Sequence, residues 1–148
     1  MPLFEKETII QAPVDVVFGF HERPDALELL SPPFPPLTVL HKSGGISTGA
    51  EVHLRIGPIR WDARHTAFER NRLFVDEQVR GPFARWIHRH EFHAEGATTR
   101  LVDRIDFALP GGALLNRLAA PFVRVGLRQM FAHRHAVTRR YCEGATTD

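Results

Sequence analysis

The stretch Gly81-Pro82-Phe83-Ala84-Arg85-Trp86-Ile87-His88-Arg89-His90-Glu91-Phe92-His93 holds the densest set of side chains able to do chemistry. Side chains alternate across a strand, so Trp86, His88, His90, Phe92 and Ala94 share one face, and Arg85, Ile87, Arg89, Glu91 and His93 the other. The face with aromatic walls reads as the inward one. Two imidazoles aimed at an interior need hydrogen-bond partners. The flanking segments offer them: Asp76 and Gln78 alternate with Phe74, while Asp103 alternates with Leu101, Ile105 and Phe107. Trp61, Ala63 and His65 share a face on a further segment. The expected inward belt is Trp61, Phe74, Asp76, Gln78, Trp86, His88, His90, Phe92, Asp103, Ile105 and Phe107, aromatic walls with a polar stripe.

Three uses of the stripe follow from its residue types. A histidine pair at i and i+2, with Asp76 or Asp103 as a third ligand, suits zinc or iron. A carboxylate that orients His88 or His90 and raises its pKa makes a general acid or base, with Asp76 and Asp103 as the candidate partners. The same groups can instead satisfy one another as His–Asp and His–Gln hydrogen bonds, fixing the sheet register and leaving a few donors for a ligand. This last reading is the one adopted here, with no metal and no cofactor expected. His90-Glu91-Phe92-His93 lacks the spacing of a zinc-protease helix, nothing resembles an activated nucleophile, and Cys142 sits near the end of the chain.

The elements that must position these groups can be read from periodicity. Residues 3 to 11 alternate as a strand, Pro13 opens a short helix to residue 20, and Pro24 opens a second to residue 30. The run Ser31-Pro32-Pro33-Phe34-Pro35-Pro36 is a stiff connector. Six strand-length segments follow, 37 to 43, 49 to 57, 59 to 69, 73 to 80, 84 to 95 and 98 to 109, separated by turn residues as in an antiparallel meander. In the tail, Leu115, Leu118, Ala119, Phe122, Gly126, Met130, His133, Val137 and Tyr141 fall three or four apart, one face of a helix. Pro121 is expected to divide it into a short helix and a long one. Gly126 on the inward face suggests space kept open, or else close helix–sheet packing. Phe122, Gly126 and Met130 join the expected ligand-binding wall. The resulting class is α+β: about seven antiparallel strands curled around a long C-terminal helix, with a cavity between them.

Composition narrows the function further. At 148 residues and 43% hydrophobic, the chain is sized for one domain spanning residues 1–148. Lys plus Arg number 19 against 17 Asp plus Glu, too even a balance to suggest nucleic acid. One cysteine argues against a disulfide framework, and with no leader-like or membrane-spanning run the expected location is the cytoplasm. The last helix carries Arg124, Arg128, Arg134, Arg139 and Arg140 with no acid before Glu143, so its outer side is basic. It could meet anionic lipid headgroups in a transient membrane contact, or simply be solvated. Monomer and homodimer are both open.

The segment 81–92, preceded by Phe74-Val75-Asp76-Glu77-Gln78 and followed by Asp103-Arg104-Ile105 and Pro110-Gly111-Gly112, resembles the bacterial SRPBCC ligand-binding proteins. These form part of the START/Bet v 1-like superfamily and are described as polyketide cyclase/dehydrase or coenzyme Q-binding domains. Phe131-Ala132-His133-Arg134-His135 is similar to the family's ending on the last helix, and the likeness runs over about residues 3 to 141. The resemblance implies a helix-grip fold whose hydrophobic cavity binds lipids, quinones, polyketides or hormones; some members are enzymes, and no catalytic residue carries over. The expected function is binding of a hydrophobic or amphipathic small molecule, as carrier or sensor. The alternatives are a cyclase, dehydratase or hydrolase using a His–Asp pair, and a ligand-responsive interaction module.

Overall fold

Alternating side chains and turn residues between Leu37 and Ala108 build a meander, which the computed structural model, describing residues 2–144, closes into one seven-stranded antiparallel sheet. The elements are β1 (Leu3–Ile10), α1 (Val14–His21), α2 (Ala26–Leu30), β2 (Leu37–Ser43), β3 (Glu51–Ile56), β4 (Ile59–Glu69), β5 (Leu73–Arg80), β6 (Arg85–Glu95), β7 (Thr98–Ala108) and α3 (Ala113–Gly144). Strand order is β1-β7-β6-β5-β4-β3-β2, so β1 returns beside the last strand and β2 lies at the far edge. The curved sheet and its long C-terminal helix form the helix-grip architecture. Turn chemistry fixes the hairpins: Gly96 (φ 64°) turns β6 into β7, and Asn71 (φ 63°), a residue type that tolerates left-handed backbone, turns β4 into β5.

The C-terminal region departs from expectation. One helix runs from Ala113 to Gly144 with Pro121 inside it, where the sequence pattern suggests two helices. Pro121 and Arg117 are both exposed, so the Arg117 carbonyl that loses its donor lies on a side open to water. The buried face is also shifted: Ala120, Leu127, Phe131, His135, Thr138 and Cys142 turn inward beside the expected Val137, whereas Phe122 is 80% and Leu118 63% exposed. Two apolar stripes lie side by side on this helix and periodicity alone does not choose between them; Gly126, Met130 and Val137 of the expected one still face the cavity or the core. Cys142, near the end of the chain, is 1% exposed, and burial pushes its thiol up to about 11.

Apolar side chains segregate into two clusters. One gathers Phe18 and Phe20 of α1 with Phe74, Phe92, Leu101, Val137 and Cys142; the other gathers Phe4, Trp86, Ile105, Phe107, Leu127 and Phe131. Three of the elements that cross from one cluster to the other carry buried polar residues at the crossing. On β6, His88 and His90 lie between Trp86 and Phe92; on β7, Asp103 lies between Leu101 and Ile105; on α3, His135 lies between Phe131 and Val137. The sheet thus holds a polar band between two dry regions.

Candidate functional site

Register sets the band's geometry. Asp76 stands opposite His88 in the β5–β6 ladder, and Asp103 opposite His90 in the β6–β7 ladder. Yet each carboxylate takes its short hydrogen bond from the diagonal imidazole, which long side chains reach. His90 Nε2 donates to Asp76 Oδ2 at 2.8 Å, and His88 Nε2 to Asp103 Oδ1 at 2.8 Å. The direct neighbours are farther: His88 Nδ1 is 3.9 Å from Asp76, and His90 Nδ1 is 3.4 Å from Asp103. From α3, His135 Nε2 donates to the second oxygen of Asp103 at 2.7 Å. The imidazoles of His88 and His90 stack with centroids 3.6 Å apart, and Phe74 stacks on His90 at 3.8 Å.

The band is electrostatically differentiated. Burial alone would raise the Asp103 pKa, but hydrogen bonds from His135, His88 and His90 hold its carboxyl well below the ordinary range. Asp76 is likewise pushed up by burial and held below the ordinary range by the His90 bond and the charges of both histidines. His90 is opposed by burial, yet two carboxylates raise its pKa above the usual 6.5. His88 is pulled down to about 4, by burial first and then by the charge of His90, against the pull of Asp103. The stacked pair therefore divides its roles at neutral pH: His90 is the favoured cation and His88 the neutral ring.

The band opens onto a cavity of about 870 Å³ between the sheet, α2, the proline connector and α3. Its apolar walls include Leu30, Leu54, Trp61, Phe83, Trp86 and Met130, and its polar lining includes the band residues His65, Asp76, His88 and His90. A cavity of this volume, mostly apolar with a few convergent polar groups, has the character of a small-molecule site. Trp61, Phe83 and Trp86 form an aromatic cluster at one side, with Trp61 and Trp86 edge to face at 5.0 Å.

Residues 10–133 match the family model for polyketide cyclase / dehydrase and lipid transport proteins. The chain belongs to this family. Solved structures with the same fold include TTHA0849 from Thermus thermophilus, 17% identical, with a TM-score of 0.74 over 97% of this chain and 99% of that one. The ZhuI aromatase/cyclase from Streptomyces sp. R1128 is 16% identical, with a TM-score of 0.72 over 94% and 92% of the two chains. A START superfamily protein from Mycobacterium smegmatis is 13% identical, with a TM-score of 0.69 over 97% and 98%. No functionally curated protein matches the sequence.

Within this polyketide cyclase/dehydrase family member, the cavity gathers some of the residues singled out from sequence and leaves others aside. Trp61, Phe74, Asp76, Trp86, His88, His90, Gly126 and Met130 line it. Gln78 does not: its amide exchanges hydrogen bonds with the Phe83 backbone at 2.7 and 3.1 Å, tying the β5–β6 connection instead. Phe92, Ile105 and Phe107 are buried in the two clusters, and Phe122 faces outward. Asp103 lies behind the wall, reaching the cavity only through His88 and His90. A Cβ built on Gly126 would meet nothing within 4 Å, so close helix packing does not account for that glycine.

Donor atoms of Asp76, His88 and His90 lie within 4.8 Å of one another, near enough to test as a metal triad. The ring stacking opposes it. An ion bound in the plane of one imidazole would lie out of the plane of a ring stacked 3.6 Å away at 28°, so one ring would have to turn. The residues fit a hydrogen-bonded network better than a coordination sphere. Two further residues of this region, His135 and Arg134, escape the sequence pattern. The spacing of Phe131, His135, Thr138 and Cys142 is the available signal for the first, and Arg134, assigned by sequence to the outer basic side, instead lines the cavity.

Proposed function

We propose that this protein binds a hydrophobic or amphipathic small molecule, such as a lipid, quinone or polyketide-like compound, and acts as a carrier or sensor for it. The observation that carries this reading is the 870 Å³ cavity, with aromatic and aliphatic walls and one polar band. Burying roughly 300 Å² of apolar ligand surface would contribute about 7 kcal/mol at about 25 cal/mol per Å², before ordering terms. The second oxygen of Asp76 can accept from a ligand hydroxyl, and His88 Nδ1, 3.9 Å from Asp76 and in no short bond, is the ring nitrogen left to face a ligand, which gives the ligand a direction in the cavity. Native mass spectrometry on protein purified from its own host tests the proposal. A stoichiometric small molecule of this class supports it; protein that arrives empty and takes up no apolar dye such as N-phenyl-1-naphthylamine refutes it.

A specific observation favours a second reading, acid–base catalysis of the cyclase, dehydratase or hydrolase kind. The His90–Asp76 pair, in which the two carboxylates raise the His90 pKa, can hold and release a proton at the cavity wall through the Asp76 carboxylate, and His88, pulled down to about 4, stands beside it as an acceptor. With the compound identified above as substrate, His90→Gln should abolish turnover and leave dye binding largely intact. Retained turnover would leave binding as the function.

A further inference from the structure

The charges along the cavity wall are matched within the protein, with one exception. Glu22 meets Arg70 at 3.3 Å, Arg23 meets Asp25 at 2.8 Å, Lys42 meets Glu28 at 3.5 Å, and Asp76 meets His90 at 2.8 Å. Arg134 also lines the cavity, and among the described residues its guanidinium makes neither hydrogen bond nor ion pair. Its placement is fixed from beneath: Cζ lies 5.2 Å from the ring centroid of Phe131, a fully buried side chain. The carboxylates of Asp76 and Asp103 act on it only at a distance, their short bonds being taken by His90, His88 and His135. Burial also pulls its pKa below the ordinary guanidinium value, opposed by the charges of Asp103 and Asp76.

Resting on the cavity reading above, we propose that Arg134 is the head-group receptor of the cavity, selecting amphiphiles that end in an anionic group such as a carboxylate, sulfonate or phosphate. A guanidinium offers five donors in a planar fork that matches two oxygens of such a group, and an anion at the apolar rim supplies the partner the protein does not. The tail then lies along Met130, Leu54 and Trp61. Uncharged ligands of equal apolar area remain bound but lose this contact.

Two dyes with one hydrophobe test the proposal: 8-anilinonaphthalene-1-sulfonate and N-phenyl-1-naphthylamine, which lacks the sulfonate. Competition between them on the intact protein establishes a shared site. Arg134→Met should weaken the sulfonate about tenfold and change the neutral dye less than about twofold, since one charge-assisted contact at a partly exposed site is removed. Arg134→Lys should restore most of the difference. Arg134→Gln, which keeps a polar side chain at the rim, serves if the Met variant loses its circular dichroism spectrum. Equal weakening of both dyes would make Arg134 a shape-determining residue and overturn the proposal, as would unchanged sulfonate affinity. Failure of both dyes to bind the unmodified protein would reject the cavity reading itself, and this assignment with it.

Discussion

Asp103→Asn is the sharpest probe of the polar band. The carboxylate accepts short bonds from His88 at 2.8 Å and His135 at 2.7 Å while only 4% exposed. Each bond to a buried charge is worth about 1.5–3 kcal/mol, and the asparagine oxygen can keep one of them while its amide opposes the other ring's N–H. The expected loss is about 3 kcal/mol, or roughly 6–12 °C in Tm for a chain of this size. Urea unfolding followed by tryptophan fluorescence at neutral pH measures it, and the m-value should not change. Acid dependence supplies an internal control. Asp103 has a folded pKa depressed below the ordinary 3.8, so its stabilisation is full above that value and is lost as pH falls through the folded value. The gap between wild type and variant should therefore close below about pH 4, and it should also narrow as pH rises through the folded pKa of His90, which the Asp103 charge helps to raise. A loss under about 1 kcal/mol at neutral pH would refute the view that these bonds bridge α3 to the sheet.

Three other perturbations separate structure from function. His21, held at about 3 by burial although its Nδ1 bonds the Val17 carbonyl, contributes stability that is present above 6.5 and lost as pH falls towards 3. His21→Phe should flatten that acid slope by about 1.4 kcal/mol per pH unit, read from urea midpoints between pH 6.5 and 4; an unchanged slope would count against a buried neutral ring. Gly126→Leu meets no atom within 4 Å of its new Cβ, so helix propensity should raise stability by about 0.5–1 kcal/mol while the longer side chain lowers affinity for N-phenyl-1-naphthylamine. Leu114, Leu118, Phe122 and Val125 form an exposed stripe beside Arg117 and Arg128, which suits an anionic lipid surface. Phe122→Asp should leave Tm unchanged and reduce co-sedimentation with phosphatidylglycerol vesicles, and equal recovery of both forms would exclude the contact.

Strands were legible because alternation, glycine turns and the ladder agree: the observed bounds of β2, β4 and β5 are those read from sequence, and the other strands differ by no more than two residues at an end. The His88/His90 face was legible for the same reason, since one strand assigns every side chain to a side. What escaped were the properties that depend on two elements meeting. Gln78 shares the face of Asp76, but a nearby backbone at Phe83 claims its amide. On α3 two adjacent apolar stripes have equal periodicity, and only docking against β1, α1 and α2 decides between them. That single rotation explains three departures together: Phe122 turns out, His135 turns in to Asp103, and Arg134 swings to the cavity rim.

The polar band is an expensive way to join two apolar clusters. Asp103, His88, His90 and His135 are each buried, and a shape-matched apolar set at such positions is commonly as stable as a hydrogen-bonded ionic one, or more so. The fold therefore does not explain the band by itself. Its one open side does: Asp76, His88 and His90 reach the cavity, whereas Asp103 and His135 stand behind them and hold the two rings in orientation. A front row facing the ligand space, oriented by a back row that never touches it, is the arrangement expected of groups kept for recognition or proton transfer. In this chain the back row is anchored by α3, the same helix that carries Gly126, Met130 and Arg134 along the cavity. A ligand that shifted α3 would then also strain the His135–Asp103 bond.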